Sequence, residues 1–113
     1  MLFNESELLD RTDNDREFAR ELIGLFMRAA GETLAELEQC IKDQQDAMVI
    51  RKLAHSIKGA AASASAIEVA TCAANLEQIS GGSEASAALE ALHAAFRNTV
   101  SLWERTGWAP KDG

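Results

Sequence analysis

The sequence contains very little proline and few aromatic residues, and it has no tyrosine. Its single proline is Pro110, near the C-terminus, so the helix-breaking ring is missing from the first 109 residues. No alternating apolar and polar run bounded by turn residues predicts a β-strand. Abundant alanine favours closely packed helices. We therefore predict an all-α fold.

Positive charge is also scarce: 11 Lys and Arg oppose 18 Asp and Glu, giving a formal charge of −7. This balance argues against nucleic acid or an anionic membrane as partner, because both need a basic footprint. No apolar run reaches the roughly 20 residues that span a bilayer, and residues 1–5 do not resemble a signal peptide. The two cysteines, Cys40 and Cys72, lack CxxC spacing. We expect a cytoplasmic protein with reduced thiols and no membrane insertion.

Apolar residues recurring at three- and four-residue steps predict five helical segments. A short opening helix over 4–10 is capped by Asn4 or Ser6, and a long second helix starts at a Thr12 or Asp13 cap and ends near 42. Gly31 is a candidate bend within it. The predicted inward stripe of this second helix is Phe18, Leu22, Leu25, Phe26, Ala29, Thr33, Leu34, Leu37 and Ile41.

Three more helices follow, over about 46–64 with an Asp46 cap, over 66–79, and from a Ser83 cap to Gly107. The four longer helices can bury their stripes together as an antiparallel four-helix bundle, with the opening helix as an addition. We assign residues 1–107 to this bundle and 108–113 to a C-terminal tail. One apolar stripe per helix can be satisfied within a monomer, which is the expected state.

The third helix carries a histidine away from its apolar stripe. At roughly 100° per residue, His55 lies about 150° from the stripe's centre, so its ring is expected to face solvent or a shallow groove. Residues 46–59 carry a local charge of +2 within a chain of −7. A basic island beside an exposed imidazole favours a bound anionic group, although an ordinary solvated helix face is the plain alternative.

The residues His55-Ser56-Ile57-Lys58-Gly59-Ala60-Ala61 resemble the H-x-x-K-G-small-small signature of the histidine-containing phosphotransfer (HPt) domain. The resemblance extends from about residue 3 to 103. It implies a helical bundle that relays a phosphoryl group between receiver-domain aspartates in two-component signalling. It also implies a phosphoryl carrier rather than an enzyme, with no cofactor of its own and Mg²⁺ on the receiver. Family members usually have a second glycine where this chain has Ser65, and we expect the helix end there to shift slightly.

These observations predict a site built around His55 as phosphoacceptor. The histidine-orienting partner, Glu77 or alternatively Gln78, follows from the resemblance alone. For Lys58 and Glu77, a solvated surface side chain is the alternative interpretation. The other predicted members are Lys58 and Arg51 as phosphate-binding cations, Gly59 for close approach, and Met48, Ala62 and Ala66 as a docking surface.

Two other functions stay open. A helical interaction bundle that binds a signalling partner without transferring phosphate is the main alternative, and the intact His55, Lys58 and Gly59 argue against it. A metal or haem site using His55 and His93 needs more ligands facing inward. The partner is expected to be a receiver domain, with a hybrid sensor kinase as a further candidate. The start at Met1 favours a free-standing carrier over the end of such a kinase.

Overall fold

Five helices make up the protein in the computed structural model, which describes residues 1–44, 46–79 and 82–110. They are α1 (Glu5–Arg11), α2 (Arg16–Lys42), α3 (Ala47–Ser63), α4 (Ile67–Glu77) and α5 (Gly82–Thr106). Helices α2 to α5 each pack against the next in chain order, and α2 also packs against α5. The described residues contain no strand, and the prediction of an all-α helical bundle is confirmed. No helix among them is long and apolar enough to cross a membrane.

The helix N-termini are fixed by short polar side chains. Asn4 caps α1 and Asp46 caps α3, each accepting a hydrogen bond from a backbone N–H in the first turn, as predicted. The predicted Thr12 or Asp13 cap of α2 is wrong, because the cap is Asp15. Asp13 belongs to the preceding turn, with a φ of 53°, and Thr12 is buried at the end of α1.

Helix α2 is one uninterrupted helix, and its buried face differs from the predicted stripe in the N-terminal half. The buried side chains are Ala19, Ile23, Phe26, Ala30, Leu34 and Leu37. Phe18 and Leu25, predicted to point inward, are 47% and 57% exposed. The first half of α2 has apolar residues on two faces, and the smaller residues Ala19 and Ala30 point to the interior.

The C-terminal end of α5 packs into the structure. Gly107 ends the helix with a φ of 83°, and the N–H of Trp108 donates to the Trp103 carbonyl at 2.8 Å, as a glycine-ended helix requires. Trp108 is buried, its indole Nε1 donates to Glu5 Oε1 at 2.7 Å, and Phe3 meets its ring edge-on. The packed part of the chain therefore extends past the predicted boundary at 107.

The predicted Ser83 cap is also corrected, because α5 already begins at Gly82 and Ser83 lies inside the helix. Ser80 and Gly81, between the two predicted helices, lie outside the described residues. The tail prediction for 111–113 falls outside them too.

Candidate functional site

Helix α3 presents His55 on the face opposite its core. Ile50, Ala54, Ile57 and Ala61 are buried against the bundle, as the three- and four-residue spacing predicts. The His55 side chain is 67% exposed. Its ring is therefore accessible to another protein, although the helix beneath it is held by the core.

Glu77, the last residue of α4, contacts the His55 ring directly. His55 Nδ1 lies 2.7 Å from Glu77 Oε2, a short hydrogen bond between residues 22 apart in sequence. Helices α3 and α4 pack against each other, and the side chains buried on them include the small residues Ala54, Ala61 and Ala73. A carboxylate accepts, so in the neutral ring the proton is on Nδ1 and Nε2 keeps its lone pair.

Lys58 binds the other oxygen of the same carboxylate. Its Nζ lies 2.7 Å from Glu77 Oε1, so Glu77 joins the histidine and the lysine across the two helices. The close contact of the Lys58 ammonium group is the main cause that lowers the pKa of Glu77 below its ordinary value, and the hydrogen bond from His55 adds to it. Glu77 is thus held as a carboxylate, and its side chain is only 16% exposed.

The surface beside the ring is open. A Cβ placed on Gly59 meets no atom within 4 Å among the described residues, so the bundle's own packing does not require a glycine there. Arg51 and Ala62 are exposed on neighbouring turns of α3, and Met48 is 56% exposed near its start. These residues surround His55 with a surface on which a partner can lie close to the imidazole.

Two of the predicted site residues lie elsewhere. Ala66 is fully buried, so its predicted place on the docking surface is wrong. The N–H of Asn4 donates to the Ser65 carbonyl beside it at 3.0 Å, which places the start of α1 at this turn. Gln78 is exposed and follows the end of α4, and in the described part of the chain the carboxylate on the His55 ring belongs to Glu77.

Ser65 has a structural role at the end of α3 that was not predicted from the sequence. It has a φ of 56° and is fully buried, and the N–H of Ala66 donates to the Ala61 carbonyl at 2.9 Å. This is the position after a helix end that glycine favours. The Ser65 hydroxyl donates to Glu7 Oε1 at 2.8 Å and accepts from Arg11 Nη2, tying α1 to the end of α3. The family's usual glycine at this place was the available signal for the positive φ.

His93 lies at another place in the bundle. Its Nε2 is 3.9 Å from Glu38 Oε2, beside a groove of about 490 Å³ between α2 and α5. The described side chains include no group of three or more His, Cys, Asp or Glu arranged to hold a metal ion.

The comparison with known families agrees with the site's geometry. A family model described as "Hpt domain" matches residues 21–104, which include α3, α4 and all three members of the His55–Glu77–Lys58 cluster. The chain belongs to the HPt domain family. HPt domains are phosphocarrier modules of two-component signalling that interact with receiver domains. No curated protein and no solved structure matches the chain significantly.

Proposed function

We propose that this HPt domain is a phosphorelay intermediate that accepts a phosphoryl group on His55 and passes it to the aspartate of a receiver domain. The observation that carries the proposal is the 2.7 Å hydrogen bond between His55 Nδ1 and Glu77. It fixes the ring with Nε2 outward, and an exposed imidazole with a free lone pair is the nucleophile that such a transfer needs.

In the transfer, the Nε2 lone pair attacks the phosphorus of a receiver's aspartyl phosphate. A nitrogen–phosphorus bond forms, the phosphorus–oxygen bond breaks, and the aspartate leaves as a carboxylate. Nδ1 keeps its proton, so the ring becomes an imidazolium while it carries the phosphoryl group. Glu77 stabilises that positive charge through the same hydrogen bond. The reverse reaction returns the group to the aspartate of a receiver, where a receiver-bound Mg²⁺ would neutralise charge on the phosphate oxygens.

Lys58 has two roles in this proposal. Its ion pair with Glu77 Oε1 holds the carboxylate so that Oε2 meets His55 Nδ1. Because it lies one turn after the histidine on the exposed side of α3, its ammonium group also contributes positive charge close to a phosphoryl group on Nε2. Arg51, one turn before His55, is proposed as a second and more distant cation, and Gly59 leaves room for the receiver.

The test is phosphoryl transfer from a phosphorylated receiver domain in the presence of Mg²⁺, followed on the wild type and on His55→Gln. Label is expected on the wild type alone, and it should be stable to base and lost in acid. His55→Gln should unfold at nearly the wild-type temperature, because the ring lies outside the core. A well-folded wild type that takes no label from a panel of receivers would instead identify a non-transferring interaction bundle.

A further inference from the structure

Helix α1 lies beside the surface that surrounds His55. The hydroxyl of Ser65 and the backbone carbonyl of Ala62 both accept from Arg11 Nη2, the carbonyl at 2.8 Å. Ala62 is exposed on α3, whereas the turn that follows it is covered by α1. The family match begins at residue 21, so α1 is an element outside the matched bundle. Arg11, the last residue of α1, lies at the edge of the surface around His55. Ala66 had been predicted at this edge.

The size of a transient interface brings Arg11 within reach of a partner centred on His55. Ala62 follows His55 by two helical turns on the same face, which is about 10 Å along the axis. An interface at the small end of the known range covers about 600 Å² on each partner, equivalent to a disc of about 14 Å radius. A receiver domain placed over His55 therefore covers Ala62 and meets the guanidinium group bound to its carbonyl.

The guanidinium group of Arg11 is held in place and still has donors to offer. Its hydrogen bonds to Ala62, Ser65 and Glu7, as far as the described residues show, all start from Nη2, and its side chain is 43% exposed. The N–H groups on Nε and Nη1 remain for a ligand. A fixed guanidinium loses little further freedom on binding, and its planar donors suit a carboxylate.

The charge of the surrounding surface favours an acidic partner. Arg51 and Lys52 are exposed on α3, before and near His55, whereas the charge of Arg11 is partly offset by Glu7, whose Oε1 lies 3.4 Å from Arg11 Nη2. The chain as a whole has a formal charge of −7. A locally basic surface on an acidic protein steers and orients a partner whose contacting surface is negative.

From these observations we infer that Arg11 is a specificity-determining residue of the docking surface, where it binds an aspartate or glutamate side chain of the receiver domain. This inference rests on the proposed function. It assigns α1 a part in partner choice, separate from the chemistry at His55. Replacing Arg11 should change receiver binding and leave the reactivity of the imidazole as it is.

The experiment compares Arg11→Glu with Arg97→Glu, using the receiver that phosphorylates the wild-type chain fastest. Arg97 is an exposed arginine of α5, a helix that packs on α2 and α4. The dissociation constant for that receiver is expected to rise about five- to tenfold for Arg11→Glu, through loss of the ion pair and the new repulsion, and to stay unchanged for Arg97→Glu. The difference should shrink in high salt, which screens exposed charges.

Two further measurements separate the possible causes. Phosphoramidate, which transfers its phosphoryl group to a ring nitrogen and releases ammonia, should label wild type and Arg11→Glu at the same rate. Ser65→Ala removes one anchor of α1 but keeps the Arg11 charge, so its receiver binding should stay close to wild type. Equal weakening by Ser65→Ala and Arg11→Glu would overturn the inference in favour of a purely structural role. Equal binding by Arg11→Glu and wild type would also overturn it.

Failure of the proposed function has a different signature. In that case the wild type takes no phosphoryl group from any receiver, whether or not it binds one, and the inference about a phosphotransfer partner falls with it. If the wild type is labelled at His55 and Arg11→Glu binds the receiver normally, only the role of Arg11 is refuted.

Discussion

Replacing Ser65 separates backbone strain from hydrogen bonding at the end of the histidine helix. Ser65 has a φ of 56°, and its hydroxyl contacts both Glu7 and Arg11. Ser65→Ala removes the hydroxyl and keeps a Cβ in the left-handed conformation. Ser65→Gly removes the hydroxyl as well, but glycine adopts this φ without steric cost. The two variants therefore differ mainly in the strain of one residue.

The expected losses follow from these contacts. A hydrogen bond to a charged group contributes about 1.5–3 kcal/mol, and because Glu7 and Arg11 are exposed enough to regain water, about 2 kcal/mol is expected for the two together. Relief of the left-handed conformation returns about 1 kcal/mol to the glycine variant. We expect the free energy of unfolding to fall by about 2 kcal/mol in Ser65→Ala and about 1 kcal/mol in Ser65→Gly. At about 4 °C per kcal/mol, the melting temperatures fall by about 8 °C and 4 °C.

The assay is urea and thermal unfolding followed by far-ultraviolet circular dichroism. Ser56, exposed in the middle of α3, provides the matched control. There the order should reverse, with Ser56→Gly less stable than Ser56→Ala by about 0.5–1 kcal/mol, because glycine disfavours a helix interior. If Ser65→Ala proves as stable as Ser65→Gly or more so, position 65 is not strained, and the account of this helix end is wrong.

Three further predictions concern the site and the packing of the chain end. Glu77→Gln should slow single-turnover transfer from a phosphorylated receiver about 10- to 100-fold, because it loses the charge that Lys58 and the imidazolium need; an unchanged rate would refute the orienting role. Lys58→Met should slow the same transfer. Lys58→Arg keeps a positive charge beside Glu77, so its transfer rate should lie between those of Lys58→Met and the wild type. Trp108→Ala should lower the free energy of unfolding by about 3 kcal/mol in urea titrations, whereas no loss would mean that the chain beyond 107 does not pack against the bundle.

The histidine helix was predictable because its sequence has one apolar face. Ile50, Ile57 and the alanines at 54 and 61 fit a single stripe, which leaves only one orientation for His55. The first half of α2 offers two apolar faces, and periodicity alone does not say which of them the neighbouring helices cover. The prediction therefore placed Phe18 and Leu25 inside although both are exposed, and the buried residues are Ala19 and Ile23.

Local sequence patterns could not predict which distant segments of the chain contact each other. The hydrogen bonds of Ser65 reach residues more than 50 positions earlier, and Trp108 bonds to Glu5 at the other end of the chain. Nothing in the spacing of these residues indicates their partners. The proximity of Glu77 to His55 also depends on how two helices pack, and it was expected only through the resemblance to the HPt family.

The central claim is that His55 carries the phosphoryl group on Nε2 while Glu77 holds Nδ1. It is tested most directly by phosphorylating the ¹⁵N-labelled chain with a phosphorylated receiver and Mg²⁺, and by locating the phosphorus–nitrogen coupling in the imidazole by NMR. The account predicts one phosphohistidine, at His55, with phosphorus bonded to Nε2 and the proton retained on Nδ1. Phosphorus on Nδ1, or on His93 in place of His55, would contradict it.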